Sequence, residues 1–510
     1  MLSKVTSYTL VGLEGVPVEV ETDINRGKVN FDIVGLPDTA VKESKDRVNS
    51  AIRNSALRFP VGKITVNLAP ADIKKEGSQF DLPIAVSVLL ASGQLTVDVK
   101  DTVLLGELAL DGTLRPVTGI LPIIIAAKGR GYNKFIVPLG NANEASYIEG
   151  VEVYALKSLI QTFEFLSGRG EFTPVEVRSF EVAKSRISYD CDLKYVRGQA
   201  VAKRALEIAV AGGHNILLSG PPGTGKTMLA RCIPTIMPDM TFEEALEVTK
   251  IASVSGELNE EGIATLRPFR TPHHTATTVS LCGGGTNKIR AGEISKAHRG
   301  VLFLDELPEY SRSALEALRQ PLEDGKITVT RAGGAVTFPA DFILCASMNP
   351  CPCGNLGSAE KHCTCTPIQI RRYRAKISGP LLDRIDLQVE VDSVKYEELA
   401  SNREEECSAD VKKRVEMARA IQRERFREEQ GVTVNADMGE KQIKAFCTLS
   451  PDCEKILRAA FERLSLSARA RSRIIKVART IADLDSCEKI LPKHVLEATS
   501  YRNFDSIKER

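Results

Sequence analysis

The sequence predicts a multidomain α/β protein, with an α+β domain at the front, an α/β core around a phosphate loop, and helices at the end. In the first third of the chain, apolar residues follow strand spacing in some runs and helix spacing in others. Residues 220–227, G-P-P-G-T-G-K-T, stand between a short apolar run and a helix start. Beyond about Asp392 the apolar residues recur at helical spacing.

Composition and charge exclude several classes of protein. The chain has 510 residues, 43% of them hydrophobic, and a net charge of +2. About three globular domains are expected, and any nucleic-acid site must come from local basic clusters. The best apolar run, 121–127, is far shorter than the ~18 residues that span a bilayer. Without a signal peptide we expect a cytoplasmic protein with no membrane partner, whose twelve cysteines are reduced thiols or metal ligands.

The first domain, residues 1–168, is predicted to mix strands and helices. Alternating apolar and polar residues indicate strands, and a capping Asp38 or Thr39 before residues with helical spacing indicates a helix. We expect strands at 18–21, 29–34, 63–68, 103–108 and 134–138, and helices at 38–57, 81–90 and 120–127.

Residues 105–122, L-G-E-L-A-L-D-G-T-L-R-P-V-T-G-I-L-P, followed by strand 135–138, resemble the Lon-protease-type domain. That family cuts peptides with a Ser–Lys pair. Alignment places Gln79 at the serine position, with Ser78 one residue away, and Leu121 at the lysine position. Neither Gln nor Leu can act as nucleophile or base. We expect a Lon-like fold without the protease chemistry, serving assembly or DNA contact.

A linker with little periodicity is expected at 169–191, before a core at 192–392 that contains the phosphate loop. The backbone N–H groups of this loop cradle ATP phosphates, Lys226 reaches the β- and γ-phosphates, and the Thr227 hydroxyl binds Mg²⁺. An ordinary Gly/Pro turn is the alternative. The predicted ATP-binding residues are Gly220, Pro221, Pro222, Gly223, Thr224, Gly225, Lys226 and Thr227.

Two further apolar runs in the core end in polar side chains. Residues 301–304 precede Asp305, expected to hold Mg²⁺, and Glu306, expected to act as the general base on water. The alternative is a solvated acidic turn. The run 342–348 ends at Asn349, a neutral amide that can bind the γ-phosphate and the attacking water.

Residues 292–309, 347–354 and 381–387, taken with the phosphate loop, resemble the magnesium-chelatase-like AAA+ family. This resemblance implies a hexamer in which Arg384 reaches the neighbouring subunit's nucleotide; a surface pair with Asp383 and Asp386 is the alternative. It also implies a helical lid at 393–510, where Arg469, or the nearby Arg471 or Arg473, contacts the γ-phosphate.

A Lon-like domain in front of this core implies, by the same resemblance, an ATP-driven DNA branch-migration helicase that serves natural transformation and recombination. The alternative enzyme is a chelatase ATPase subunit that drives Mg²⁺ insertion. A third class is a scaffold or a protein-remodelling chaperone.

Two insertions are the predicted DNA contacts. Strand-like runs on both sides of 331–334 predict a hairpin carrying Lys326 and Arg331, at the pre-sensor position of helicase-type motors. A Gly-rich loop carries Lys288 and Arg290. A solvated hairpin or loop is the alternative for each. The adjacent pair His273-His274 favours packing or phosphate contact over metal, because no third ligand is near in sequence.

Four cysteines in the spacing C-x-C-x₉-C-x-C predict a zinc site. His362 could replace one sulfur, and unliganded thiols or, less readily, an iron–sulfur cluster are the alternatives. The predicted ligands are Cys351, Cys353, Cys363 and Cys365.

Overall fold

A computed structural model describes residues 2–185, 187–285, 289–331, 334–357, 361–393, 405–464 and 467–502. The chain forms two compact units. The first comprises Met1–Ile187, Thr241–Thr265 and Gly285–Arg290, and the second comprises Ser188–Met240, Leu266–Gly284 and Ala291–Arg510.

The strands are numbered along the chain. Those before the phosphate loop are β1 (Leu2–Val11), β2 (Glu14–Asn25), β3 (Asn30–Val34), β4 (Lys63–Ala69), β5 (Thr102–Leu104), β6 (Glu107–Leu108), β7 (Leu114–Arg115), β8 (Lys134–Pro138), β9 (Glu152–Leu156) and β10 (Ile216–Ser219). Those after it are β11 (Phe269–Arg270), β12 (Gly283–Gly284), β13 (Arg290–Ala291), β14 (Val301–Leu304), β15 (Lys326–Arg331), β16 (Gly334–Pro339), β17 (Ile343–Met348) and β18 (Leu387–Glu390).

The helices are numbered in the same way. The first ten are α1 (Thr39–Asn54), α2 (Asp81–Ala91), α3 (Ile120–Lys128), α4 (Ala142–Ala145), α5 (Leu159–Leu166), α6 (Phe180–Lys184), α7 (Ala200–Gly212), α8 (Lys226–Arg231), α9 (Ile233–Ile236) and α10 (Phe242–Ser255). They are followed by α11 (Thr278–Cys282), α12 (Glu293–Lys296), α13 (Arg312–Ala317), α14 (Pro321–Asp324), α15 (Pro367–Arg374), α16 (Gly379–Leu382), α17 (Ser408–Arg425), α18 (Glu440–Phe446), α19 (Pro451–Leu464), α20 (Ala468–Leu484) and α21 (Pro492–Ser500). Short 3₁₀ turns lie at Ser78–Phe80, Leu139–Asn141, Leu193–Tyr195, Leu307–Glu309 and Asn435–Asp437.

The first unit is built on a mixed seven-stranded sheet with the order β3-β4-β2-β1-β5-β8-β9. Strands β1, β2 and β4 pair antiparallel, and the remaining neighbours pair parallel. Helix α2 is apolar almost all round because it lies between β1 and β2 on one side and α1 on the other. Helix α1 begins as predicted: the Asp38 carboxylate accepts the Val41 N–H at 2.8 Å.

The single strand expected over 103–108 is wrong. The structure has two short strands there, β5 and β6, which pair with different partners. Between them the Gly106 N–H leaves the sheet ladder and donates to the Gln79 carbonyl at 3.0 Å. A run of apolar residues does not reveal such a change of partner, because both halves of it are buried.

Helix α10, which follows the phosphate loop in sequence, packs within the first unit. Its Leu246 contacts the apolar cluster that includes Ile120 and Ile124 of α3. The Ser253 hydroxyl donates to the buried Glu144 carboxylate, whose pKa is raised by burial. Within the predicted linker, α6 is also packed, with the Phe180 ring 5.7 Å from that of Phe242. The predicted domain limits at 168, 191 and 392 remain predictions.

The second unit contains a five-stranded parallel sheet with the order β11-β14-β17-β10-β18. Strands β10, β14 and β17 are buried along their whole length, which explains why their sequences are continuous apolar runs. Parallel strands end at one common edge, so the loops after β10, β14 and β17 meet there. The chain is therefore a mixed α/β protein with a parallel-sheet core, as predicted.

The described residues after 405 form the helices α17 to α21. Helices α17 and α20 pack against α7 beside the parallel sheet. The buried Gln422 side chain donates to the Ala211 carbonyl at 2.9 Å, and Arg425 pairs with Asp483. Across the residues that the structure describes, no helix has both the length and the apolarity needed to cross a membrane.

Candidate functional site

The phosphate loop joins β10 to α8 at the carboxyl edge of the parallel sheet. Gly223 and Gly225 have φ of 83° and 85°, which favours glycine. A Cβ on Gly220 would lie 2.1 Å from the Val391 carbonyl oxygen, so no side chain fits at this position. The geometry of the loop therefore requires glycine at these positions. The loop also lies directly before the start of a helix, as phosphate-binding loops do.

Lys226 is buried with its ammonium inside this loop. Its Nζ donates to the carbonyl oxygens of Gly220 and Pro221, both at 2.7 Å. Burial lowers the pKa of Lys226, and the nearby carboxylates of Asp305 and Glu306 act in the opposite direction. The positive charge is thus held among backbone groups that can be exchanged for phosphate oxygens.

Asp305 lies next to Thr227, as a magnesium site requires. The Thr227 hydroxyl donates to Asp305 Oδ2 at 3.1 Å. Ser347, which the sequence reasoning missed, donates its hydroxyl to Asp305 Oδ1 and fixes the carboxylate. Hydroxyl and carboxylate oxygens are the donors that Mg²⁺ prefers, so these residues fit the ion.

Glu306, the residue after Asp305, has an unusual backbone conformation. Its φ and ψ are 53° and 49°, a left-handed conformation that is uncommon for residues other than glycine. The Glu306 N–H donates to Asp305 Oδ1 at 3.1 Å. The two consecutive carboxylates have different partners: Asp305 contacts Thr227 and Ser347, whereas Glu306 Oε2 lies 3.5 Å from His274 Nδ1.

Asn349 comes directly after β17 and lies near the loop that carries the cysteines. A Cβ on Gly354 would meet Pro222 Cδ at 2.8 Å, and Asn349 Cγ lies 4.0 Å from the same point. The cysteine loop therefore packs against the phosphate loop.

The four predicted zinc ligands are brought together, with their sulfur atoms all within 4.8 Å of one another. The Sγ atoms of Cys351, Cys353 and Cys363 are separated by 3.4 to 3.6 Å. A tetrahedral zinc with bonds of about 2.3 Å requires sulfur separations of about 3.8 Å. Backbone N–H groups of Asn355 and Thr364 lower the pKa of the Cys353 thiol to about 5, which favours the thiolate that binds metal.

Arg384 and Arg469 lie at the opposite edge of the sheet, beside the amino ends of the strands. The Asn215 side chain, just before β10, donates to the Arg384 carbonyl at 3.0 Å. The Arg384 guanidinium donates to Pro380 O and pairs with Glu323, and Asp386 pairs with Arg473 at 2.6 Å. Among the described residues, Arg384 therefore pairs with Glu323 and not with Asp383 and Asp386, the pair of the alternative prediction.

Arg469 lines a cavity of about 480 Å³ at this amino edge. Asn215 and Asp386 line it as well, which places it at the start of β10 and β18. From Asn215 to Gly220 the strand advances about 16 Å, at about 3.3 Å per residue. This is longer than an extended arginine side chain, so neither Arg384 nor Arg469 reaches the phosphate loop of its own chain.

The predicted DNA contacts are only partly described. Strands β15 and β16 form the expected hairpin, with Arg331 opposite Gly334 at its turn. Lys326 is exposed but lies at the hairpin base, opposite Pro339. The side chain of Arg331 and the whole of Lys288 lie outside the described residues, and Arg290 is exposed in β13.

The aligned protease positions carry no catalytic pair. The Gln79 side chain donates to the Glu76 carbonyl at 2.8 Å, and Leu121 is buried in the apolar core. Ser78 donates to the Glu107 carboxylate. The Lon-like assignment of this unit remains a prediction.

Three family models, all described by magnesium chelatase, match three parts of the chain. The family described as magnesium chelatase, subunit ChlI, matches residues 192–399; its C-terminal part matches 405–502. The profile described as subunit ChlI of Mg-chelatase matches residues 20–141.

The sequence is also similar to complete proteins. Competence protein ComM of Haemophilus influenzae is 44% identical over 98% of this chain and 97% of its own length. Protein YifB of Escherichia coli is 44% identical over 99% of this chain and 98% of its own. The magnesium-chelatase 67 kDa subunit of Chlorobaculum parvum is 29% identical over 30% of this chain and 22% of its own. From its amino-terminal part to its last helices, the chain belongs to the magnesium-chelatase-like family of ComM and YifB.

Proposed function

We propose that this chain is a hexameric ATPase that moves branched DNA. The observation that supports the proposal is the separation of the site into two halves. The phosphate loop, Asp305 and Glu306 lie at the carboxyl edge of the sheet, and Arg384 and Arg469 lie at its amino edge. Each half is incomplete alone, and a ring of identical subunits brings the two edges together.

The carboxyl-edge residues have distinct roles in ATP hydrolysis. Backbone N–H groups of residues 220–227 and the Lys226 ammonium bind the phosphates of ATP. Thr227 and Asp305 would hold Mg²⁺, and the bound ion would neutralise part of the negative charge of the phosphates. Glu306 accepts a proton from the attacking water, and the Asn349 amide orients that water without adding charge.

The amino-edge arginines act on the neighbour's nucleotide. Arg384 has a largely buried side chain, 12% exposed, and its Nε has no hydrogen-bond partner among the described residues. A buried N–H without a partner is costly, and an incoming phosphate oxygen would satisfy it. Arg384 and Arg469 then stabilise the charge that spreads over the transferring phosphoryl group.

DNA is the proposed substrate for two reasons. One of the two relatives that are 44% identical, from Haemophilus influenzae, is named a competence protein. The β15–β16 hairpin and the Gly-rich insertion at 280–293 carry basic residues, and contacts to DNA phosphates need only positive charge within reach of the backbone. ATP-driven movement of these insertions would displace a DNA branch point.

A branch-migration assay with Lys226→Ala as the matched control tests this function. We expect the wild-type protein to convert a four-way DNA junction to products with ATP and Mg²⁺, and Lys226→Ala to be inactive because it cannot hold the phosphates. Equal conversion by both proteins, or none by a wild-type protein with intact ATPase activity, would reject the helicase. ATPase stimulated only by chelatase partners would support the chelatase alternative.

We propose further that the cysteine cluster holds one zinc ion per chain. The four sulfur atoms, which all lie within 4.8 Å of one another, support it. Because Gly354 of the cysteine loop packs against Pro222 of the phosphate loop, a bound ion that orders the cysteine loop would also stabilise the phosphate loop.

Elemental analysis should find about one zinc per chain in the wild-type protein and far less in Cys353→Ser, with weaker ATP binding in that variant. Cys407→Ser, which alters a thiol outside the cluster that donates to Asp410 at 3.2 Å, should keep both the metal and the ATP affinity. A zinc-free wild-type protein with normal ATP binding would contradict the proposal.

A further inference from the structure

A segment that begins inside the cysteine loop carries positive charge without acidic residues. The whole chain has 68 Lys and Arg against 66 Asp and Glu, but residues 361–382 contain no Asp or Glu at all. The basic residues of this segment are Lys361, Arg371, Arg372, Arg374 and Lys376. It is therefore a local basic cluster in a nearly neutral protein, which is the feature that a nucleic-acid site requires.

Helix α15, which carries three of these arginines, is held at both ends. At its start the Thr366 N–H donates to the Gln369 side-chain oxygen at 2.8 Å, and the Gln369 N–H donates to the Thr366 hydroxyl at 3.3 Å. At its end the Arg374 guanidinium donates to the carbonyl of Pro350, the residue after Asn349, at 3.2 Å. The helix therefore presents its outer side chains from a rigid element.

Two of the basic side chains are not used by the fold. Arg374 is bound to a carbonyl as described, and Lys376 pairs with Glu309 at 3.1 Å. Arg371 and Arg372 are exposed, and among the residues that the structure describes neither side chain makes an ion pair or a hydrogen bond. Their guanidinium donors are therefore free for a ligand, and a phosphate suits the planar fork of an arginine.

The outer face of α15 suits a DNA backbone better than an acidic protein. Successive residues of a helix point about 100° apart, so Arg371 and Arg372 can reach two different phosphates. Duplex DNA carries one negative charge per about 1.7 Å of its axis, so a guanidinium finds a phosphate at almost any angle. An acidic protein segment offers fewer charges at fixed positions. Ile368, one turn before Arg372, is 63% exposed and adds no negative charge to this face.

We propose that the exposed face of α15 binds the phosphate backbone of DNA through Arg371 and Arg372. This inference rests on the proposed function and adds a contact outside the β15–β16 hairpin and the Gly-rich insertion. Contacts of this kind hold the DNA without reading its sequence, so they would serve any branched substrate.

The test is binding of a fluorescently labelled DNA duplex to the full-length protein, with a slowly hydrolysed ATP analogue, over a range of salt concentrations. The double variant Arg371→Gln/Arg372→Gln should raise Kd by more than about tenfold at 0.1 M salt. Each phosphate contact contributes about 0.9 to the slope of log affinity against log salt concentration. The slope should therefore fall by about 1.8 or more.

Two further double variants are the controls. Arg371→Lys/Arg372→Lys keeps both positive charges and should keep most of the slope. Arg423→Gln/Arg458→Gln removes the same charge from exposed positions in α17 and α19, and should bind DNA with the Kd and slope of the wild-type protein.

The outcomes separate this inference from the function beneath it. If the wild-type protein binds the duplex and Arg371→Gln/Arg372→Gln binds it equally well, the inference is overturned and α15 is left to an acidic protein partner. An equal loss in Arg423→Gln/Arg458→Gln, or a higher Kd with an unchanged slope, would also overturn it. A wild-type protein that binds no DNA at low salt would overturn the proposed function as well.

Discussion

Glu306→Gln should lower kcat for ATP hydrolysis by at least about 100-fold and leave the Kd for ATP close to that of wild type. Glutamine keeps the size of the side chain but cannot accept a proton from water. The phosphate contacts come from residues 220–227 and Lys226, which this change does not touch. The measurements are steady-state ATPase kinetics and binding of a fluorescent ATP analogue.

Glu309→Gln is the matched control for this variant. Glu309 lies three residues further along the same turn, and its carboxylate pairs with Lys376 at 3.1 Å on the surface. Loss of an exposed pair costs little, so this variant should hydrolyse ATP at nearly the wild-type rate. Equal activity of Glu306→Gln and Glu309→Gln would show that another group activates the water.

Arg384→Ala should lower kcat by about 10³-fold, and mixing it with Lys226→Ala should restore part of the activity. Each variant alone lacks one half of every shared site. In a mixed ring, a Lys226→Ala subunit supplies Arg384 to the ATP held by its Arg384→Ala neighbour, which completes some of the sites. The measurement is ATPase rate against mixing ratio, which should rise to a maximum between the two pure variants.

The control is Arg312→Ala, an exposed arginine at the start of α13. It should be active alone, and in mixed rings it should complete the sites of Arg384→Ala neighbours as the wild-type protein does, because it keeps both Lys226 and Arg384. Misfolding is not expected in Arg384→Ala, since its partner Glu323 is 59% exposed and remains solvated without it. If Arg384→Ala alone is fully active, or if the two variants assemble together without any recovery, the shared site is wrong.

The geometry of the phosphate loop and its edge of the sheet could be predicted because each part of it is contiguous in sequence. The phosphate loop needs glycines at fixed spacing, and four apolar residues before Asp305 are typical of a buried strand. Parallel strands then place Thr227 and Asp305 together without any knowledge of the remaining fold.

What the sequence did not reveal depends on pairing between distant segments. Ser347 of β17 reaches Asp305 at the end of the adjacent strand β14, and His274 Nδ1 lies 3.5 Å from Glu306 Oε2 although 32 residues separate them in sequence. The long β1–β2 ribbon was likewise missed in part, since Leu2–Val11 alternates too irregularly to be read alone as a strand. Periodicity reports burial along one element and does not identify the neighbour that buries it.

Residues 241–265, which include helix α10, belong to the first unit although the sequence on both sides of them belongs to the second. Gly262, a few residues beyond this helix, lies so close to Asn143 that an added Cβ would be 2.4 Å from its carbonyl carbon. The Asn143 side chain donates to the Glu260 carbonyl at 2.8 Å. A protein fragment that begins at residue 192 would contain residues 241–265 without Asn143. A fragment that ends at residue 168 would contain Asn143 without residues 241–265. No single cut of the chain therefore separates the two units, because residues 241–265 of the first unit lie in sequence between parts of the second.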